Sequence, residues 1–374
     1  MQRRGFLTGL GCSLAASPLV TPVALAEGPW DNRLIVIVLR GAMDGLDAIR
    51  PVGDPAYAGL RPTLAGNGLP LTDFWALHPS LAPLMPLWRA GEFGAAHATS
   101  TPYRDRRSHF DGQDILEAGT VGLDGARDGW LNRLLTEVPG ARAGTAYAVG
   151  RDAMPVLAGD APVSRWSPDA RLAISPQAER LLGLVYEDDP LFHVASADAL
   201  RIAAEVDGAQ SGGAEMMRVA DFAAARLVEE ARIASFSIGG WDTHGRQEVH
   251  LARALEGLAE VVLRLRDGLG PVWARTGVLC LTEFGRTARE NGSGGTDHGT
   301  GGAMLYFGGG LRGGRVLGDW PGLSDLYADR DLMPVRDVRA YAGWAMRGLF
   351  GVDAGVVERV VFPGLELGES PGIV

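Results

Sequence analysis

The chain has 374 residues, 46% of them hydrophobic, enough for one large core or two small ones. Its formal net charge of −10 argues against a nucleic-acid partner, because neutralising phosphates needs a basic face. Every basic residue is an arginine, which excludes a Schiff-base lysine, a P-loop lysine and a kinase-type lysine together.

In chain order the first element is a leader. Arg3 and Arg4 precede a moderately apolar stretch from Leu10 to Val23, and Ala24-Leu25-Ala26 presents the small residues that a signal peptidase reads. The stretch is too short to span a bilayer. Residues 1–26 therefore read as a signal peptide, and the arginine pair followed by Phe6 and Leu7 gives it a twin-arginine character. The expected destination is the periplasm or the exterior, reached folded through the twin-arginine machinery, with no transmembrane span in the mature chain. Cys12 falls in the leader, so the mature chain keeps Cys280 alone, and neither a disulfide framework nor a thiolate metal cage is available.

Leu34–Leu39 is a continuous apolar run and reads as a buried strand. Leu81–Ala90 reads as a short helix carrying Pro83 and Pro86. Phe93–Ala98 is a second strand, and Ser108 caps a helix to Ala118. Asp128–Val138 places Trp130, Leu131, Leu134 and Leu135 at helical spacing, and Thr145–Val149 and Met154–Leu157 read as short strands. From about Ala158 to Gly213 the pattern weakens around Glu187-Asp188-Asp189, with helices expected at Pro176–Leu184 and Ala195–Val206. That stretch reads as an insertion that either caps the site or decorates the surface. Strands ending at Ile238 and Leu281 follow, with amphipathic helices at Glu215–Glu230 and Gln247–Asp267. A glycine-rich loop, Asn291 to Gly302, leads to a strand, Ala303–Phe307, a hairpin through Gly308–Gly314 and a closing helix, Val335–Phe350. The alternation predicts one α/β domain over residues 27–374, with a doubly wound, mostly parallel sheet flanked by helices.

Four of the apolar runs end in acids, histidines or a hydroxyl, and ligands of open α/β sheets bind outside the carboxyl ends of the strands. Asp44 follows the first strand, with Arg40 either holding an anionic substrate or pairing with Asp44. Ser108 is either a plain helix cap or an activated nucleophile beside Arg107, at a helix N-terminus suited to anions. Asp242 and His244 follow Gly239-Gly240, and Glu283 follows a buried strand, where a charge must be paired or coordinated. Asp297 and His298 sit in the glycine loop. Acids and imidazoles without cysteine suit a divalent metal rather than a structural zinc. No Gly-x-Ser-x-Gly elbow supports a serine–histidine–acid hydrolase.

Together with the leader, Arg40-Gly41-x-x-Asp44-Gly45-Leu46, Arg107-Ser108-His109-Phe110-Asp111, Gly240-Trp241-Asp242-Thr243-His244, Thr282-Glu283-Phe284-Gly285-Arg286 and Asp297-His298-Gly299 resemble the exported, sulfatase-like domain-of-unknown-function family 1501. That family is similar to the alkaline phosphatase superfamily. The resemblance implies an exported hydrolase or transferase acting on phosphate or sulfate esters, with Ser108 as nucleophile and Arg40 assisting. It implies one or two divalent ions (Zn, Mn, Mg or Ca) on Asp44, Asp242, His244, Glu283, Asp297 and His298. Arg107, His109 and Arg286 would then bind the anionic ester or glycan. Phe284 stands where the superfamily pattern has a histidine, which leaves open an inactive relative that binds an anionic glycan or a protein partner.

Overall fold

The computed structural model describes residues 29–66, 68–104, 107–168 and 212–374. The leader, and the helices expected at Pro176–Leu184 and Ala195–Val206, lie outside the described residues. Among those residues the core is a nine-stranded sheet. Its centre is Arg33–Leu39, paired in parallel with Ile233–Ile238 on one side and Thr276–Leu281 on the other. Ala146–Val149 and Ser164–Trp166 continue the parallel order outward from Ile233–Ile238. On the opposite side Gly302–Phe307 runs antiparallel between Thr276–Leu281 and Phe93–Ser100. Two-residue strands at Val316–Leu317 and Arg336–Asp337 finish that edge.

Alternation along the central strand explains the helices on both faces. Ile35, Ile37 and Leu39 pack into a core with Leu227 of helix Gly212–Val228 and with Leu251, Leu255, Leu258 and Val262 of helix Gln247–Leu269. Leu34, Val36 and Val38 enter the other core, with Trp130, Leu131 and Leu134 of helix Trp130–Thr136 and Tyr341, Ala345 and Leu349 of helix Val338–Phe350. A strand buried on both faces needs apolar residues at every position, which is why the run shows no polar alternation.

Several sequence expectations are corrected. Pro155–Leu157 is a single 3₁₀ turn rather than a strand, and Leu81–Ala90 divides into a 3₁₀ segment, Pro79–Leu84, and a short helix, Met85–Ala90. Proline cannot donate the backbone bond that a continuous helix requires there. The glycines at Gly308–Gly314 do not form a hairpin: the chain passes on to Val316–Leu317, which pairs in parallel with Phe93–Ser100. Ser164–Trp166, within the stretch read as an insertion, adds a strand to the sheet edge. A small separate sheet of Ile49–Arg50, Ala76–Leu77 and Leu69–Pro70 also escaped the sequence reading, because two-residue strands carry no period.

His97, on the strand Phe93–Ser100, points into the core. Its Nε2 donates to the carbonyls of Gly45 and Ile49 at 3.1 and 3.2 Å, its Nδ1 accepts from the Ala98 amide, and its ring stacks on Trp75. Burial lowers its pKa to about 4, against 6.5 for an ordinary histidine. The unfolded chain then takes up a proton that the native state refuses. No stability is lost above pH 6.5; the loss grows as pH falls and is complete near 4, reaching about 3 kcal/mol. Chemical denaturation at stepped pH should show this slope in the wild type and a flatter one in His97→Gln; equal slopes would assign the acid sensitivity elsewhere.

Candidate functional site

The carboxyl ends of Arg33–Leu39, Phe93–Ser100, Ile233–Ile238 and Thr276–Leu281 lie on one edge of the sheet. Because Gly302–Phe307 is antiparallel, the loop that precedes it must return to that same edge, and it brings Asp297 and His298 with it. An isolated antiparallel bridge between Arg286 and His298 folds the loop onto the segment after Thr276–Leu281. Gly299 is required for this approach, since a Cβ there would lie 2.4 Å from the Arg286 backbone. Gly41 has φ +121, and a Cβ on it would lie 2.7 Å from the Asp242 amide, so the first strand's loop can press directly on the loop carrying Asp242.

Three imidazoles converge on the Asp242 carboxylate. His244 Nε2 is 3.1 Å and His298 Nε2 3.2 Å from its Oδ1, and His109 Nε2 is 3.4 Å from its Oδ2. Each ring is held from behind through Nδ1: His109 to Glu283 at 2.7 Å, His244 to Asp297 at 3.1 Å, and His298 to the Arg107 carbonyl at 2.9 Å. Carboxylates and carbonyls only accept, so each Nδ1 carries the hydrogen and Nε2 is the ring atom turned toward Asp242. Arg107 holds its carbonyl on His298 from a left-handed conformation, φ +52, which is strained for a residue with a Cβ.

The donor set fits a divalent ion. The ligand atoms of His109, Asp242 and His298 all lie within 4.8 Å of one another. His244 Nε2 faces His298 Nε2 at 2.9 Å, and the buried His109 Nε2 has no hydrogen-bond partner. Donors about 2.1 Å from a common ion sit roughly 3.0–3.4 Å from one another, the spacing of the His244 and His298 Nε2 atoms from Asp242 Oδ1. A histidine backed by a carboxylate or carbonyl is the usual second layer of a metal site.

Charge is tuned to match. Burial opposes ionisation of Asp242, but the hydrogen bond and charge of Arg286, 2.8 Å from Oδ1, outweigh it and hold the carboxyl below its usual range. Burial likewise opposes ionisation of Glu283, which is overcome by hydrogen bonds from His109, Gln113 and the Gly41 amide. The hydrogen bond to Glu283 raises the pKa of His109, whereas burial lowers that of His298.

The profile of a protein family of unknown function, DUF1501, matches residues 97–342. The chain belongs to the DUF1501 family. The match contains every member of the imidazole–carboxylate cluster. No curated protein matches the chain. Among solved structures it is similar to the zinc complex of the C-terminal periplasmic domain of EptC from Escherichia coli, with 8% identity and TM-score 0.45 over 91% of this chain and 88% of that one. It is also similar to the lipoteichoic acid synthase LtaP from Listeria monocytogenes (8%, TM-score 0.42, 89% and 74%). A third is an alkaline phosphatase superfamily protein from Vibrio parahaemolyticus (14%, TM-score 0.40, 90% and 71%).

In this family member the structure brings together Asp242, His244 and His298, adds His109, and places Asp297 directly behind His244. Other expected ligands sit elsewhere. Asp44 is buried; its Oδ2 is 2.8 Å from Arg61 and 2.7 Å from the Gln247 amide, so it anchors a polar network rather than the cluster. Glu283 orients His109. Arg286 is likewise spent on Asp242 and on the Thr296 carbonyl, so it positions a ligand instead of meeting substrate. The Arg40 guanidinium is paired with Glu117 at 2.8 Å and donates to Gln113, so that Gln113 and Glu283 stand between it and His109. Ser108 caps helix His109–Ala118 through a long 3.4 Å contact to the Asp111 amide, between Arg107 and His109.

Sequence reasoning missed Arg61 and Gln247. Gln247 Oε1 accepts from Thr243 at 3.0 Å and Thr296 at 2.8 Å, pinning the Asp242 loop to the His298 loop. Its one signal in the sequence is a polar residue at the start of an amphipathic helix, which reads as solvent-facing. Among the described residues no helix is long and apolar enough to cross a membrane.

Proposed function

We propose that the protein is an exported, metal-dependent hydrolase or transferase acting on phosphate or sulfate esters, with Ser108 as the nucleophile. The observation that carries this is the set of three Nδ1-anchored imidazoles facing Asp242, one of which, His109, directly follows a serine at a helix N-terminus. His109, Asp242, His244 and His298 would hold the ion, with Asp297 and Glu283 behind them. A divalent ion held there would supply Lewis-acid stabilisation of charge developing on an ester oxygen. The amides of the first turn of helix His109–Ala118 favour an anionic group at Ser108. Arg107, partly exposed and 3.6 Å from Asp331, supplies a nearby positive charge for the non-bridging oxygens. The Ser108 oxygen would bond to phosphorus or sulfur as the ester alcohol leaves, and water or an acceptor alcohol would then release the serine. Delivery by the twin-arginine route would place this chemistry outside the cytoplasm.

Two positions give a second reading substance. Phe284, buried against His109 and His298 with centroids 5.1 and 5.2 Å away, stands where the family resemblance leads one to expect a histidine. Phe110, next to His109, is 84% exposed, a ring on which a sugar or an apolar partner group can pack. In that reading the same cleft binds an anionic glycan or a protein partner without turnover.

The experiment is elemental analysis of the purified protein, followed by assays on aryl phosphate and aryl sulfate with Ser108→Ala as control. Stoichiometric metal with turnover that falls at least a hundredfold in Ser108→Ala supports the enzyme. Bound metal with no turnover on either class favours the binding reading. Protein that neither contains nor takes up metal defeats the metal centre itself.

A smaller effect tests the layer behind the ligands. Glu283→Gln keeps the size of the side chain but can no longer accept strongly from His109, and should weaken metal affinity about 10- to 100-fold. Competition against a chelator measures it; unchanged affinity would make Glu283 merely structural.

A further inference from the structure

We infer that the centre holds a single ion, and that its nitrogen-rich donors select a first-row transition ion such as Zn(II), Fe(II) or Co(II) over Mg(II) and Ca(II). This rests on the reading of the cluster as a metal centre and narrows it.

The donors set the preference. Three imidazole nitrogens and one carboxylate converge, whereas magnesium and calcium favour oxygen throughout. The facing pair His244 Nε2 and His298 Nε2, 2.9 Å apart, places two lone pairs against each other in the neutral rings. That contact is relieved by a cation between them.

Two acids expected to serve a second ion, Asp44 and Glu283, are already committed. Asp44 is an acid that the family resemblance offers to it, but its Oδ2 already meets the Arg61 guanidinium, with side chains 1% and 0% exposed. A divalent ion at that oxygen would sit against a buried like charge, which is strongly unfavourable. Arg61 is fixed further by the carbonyls of Ala288 and Thr287, at 2.9 and 2.8 Å, so it cannot swing aside. Glu283 accepts from His109, Gln113 and Gly41 at one oxygen and lies 3.0 Å from the Thr282 hydroxyl at the other. Phe284 places an apolar ring against two of the ligand imidazoles. Two buried guanidinium groups, Arg61 at Asp44 and Arg286 at Asp242, thus supply fixed positive charge where a second ion would otherwise do so.

The test uses protein stripped with a chelator and titrated with Co(II), read by visible absorption and by metal content after desalting. We expect saturation at one equivalent, ligand-field bands that a large excess of Mg(II) or Ca(II) leaves unchanged, and at least tenfold weaker Co(II) binding in His244→Ala. Asp44→Asn should still bind one equivalent; if that variant does not fold, the wild-type stoichiometry decides alone. Two equivalents, or displacement by Mg(II) or Ca(II), overturns the inference while leaving a metal-dependent enzyme intact. No Co(II) uptake removes the metal centre and, with it, this inference.

Discussion

Protein carrying Asp242→Ala should leave gel filtration without bound divalent metal and should turn over aryl esters about 10³-fold more slowly than the wild type, the scale of losing several kcal/mol of charge stabilisation. Asp242 is the one residue that all three imidazoles share, at 3.1, 3.2 and 3.4 Å. Each histidine removed leaves two others; the carboxylate removed leaves three lone pairs facing one another with no negative charge among them. The substitution also strips Arg286 of its charged partner, although Arg286 keeps the Thr296 carbonyl. Asp242→Asn separates the two effects, because the amide oxygen still accepts from Arg286 while the charge is gone. Elemental analysis and steady-state rates on both variants, beside thermal melts, provide the check. Full metal content in Asp242→Ala would place the ion elsewhere.

The largest stability effect is expected at Arg61. Arg61→Met should lower the free energy of unfolding by about 3–5 kcal/mol, the usual consequence of breaking a buried ion pair from one side. The carboxylate left behind, Asp44, is 1% exposed. Burial opposes its charge, and the neighbouring Arg61 is the main influence that keeps its carboxyl below the ordinary range. Two backbone carbonyls lose their donor as well. The paired change, Arg61→Met with Asp44→Asn, should recover part of the loss. Urea denaturation of the four proteins in the cycle measures the coupling; strictly additive losses would mean the pair contributes nothing as a pair.

The strands, and the sheet edge they serve, were legible because a buried β-branched run that ends in charged residues fits little except a strand delivering them to a sheet edge. Asp242, His244 and His298 could be nominated for the same reason. The division between ligand and support could not. Glu283 and Asp44 both follow buried strands, and nothing local distinguishes an acid that points at an ion from one that points at a histidine or an arginine. That difference is set by residues distant in the chain, such as Arg61 for Asp44 and His109 for Glu283. His109 itself, read as a substrate contact, reaches Asp242 because its helix begins at Ser108 with the ring turned back over Phe284. Arg286 looked available for an anion, but it is fully buried and committed to Asp242.

The reversed strand Gly302–Phe307 has a consequence in time as well as space. It sits between Phe93–Ser100 and Thr276–Leu281, so the segment leading to His109 comes beside the His298 loop only after parts of the chain some two hundred residues apart have met. Closures over such separations come late in folding, because their entropy must be met before their contacts form. An ion that needed His109, Asp242 and His298 at once would therefore meet a finished protein. The binding energy of such an ion would fall on the barrier to unfolding and leave the folding rate unchanged: it would act as a latch on the native state, with no part in reaching it.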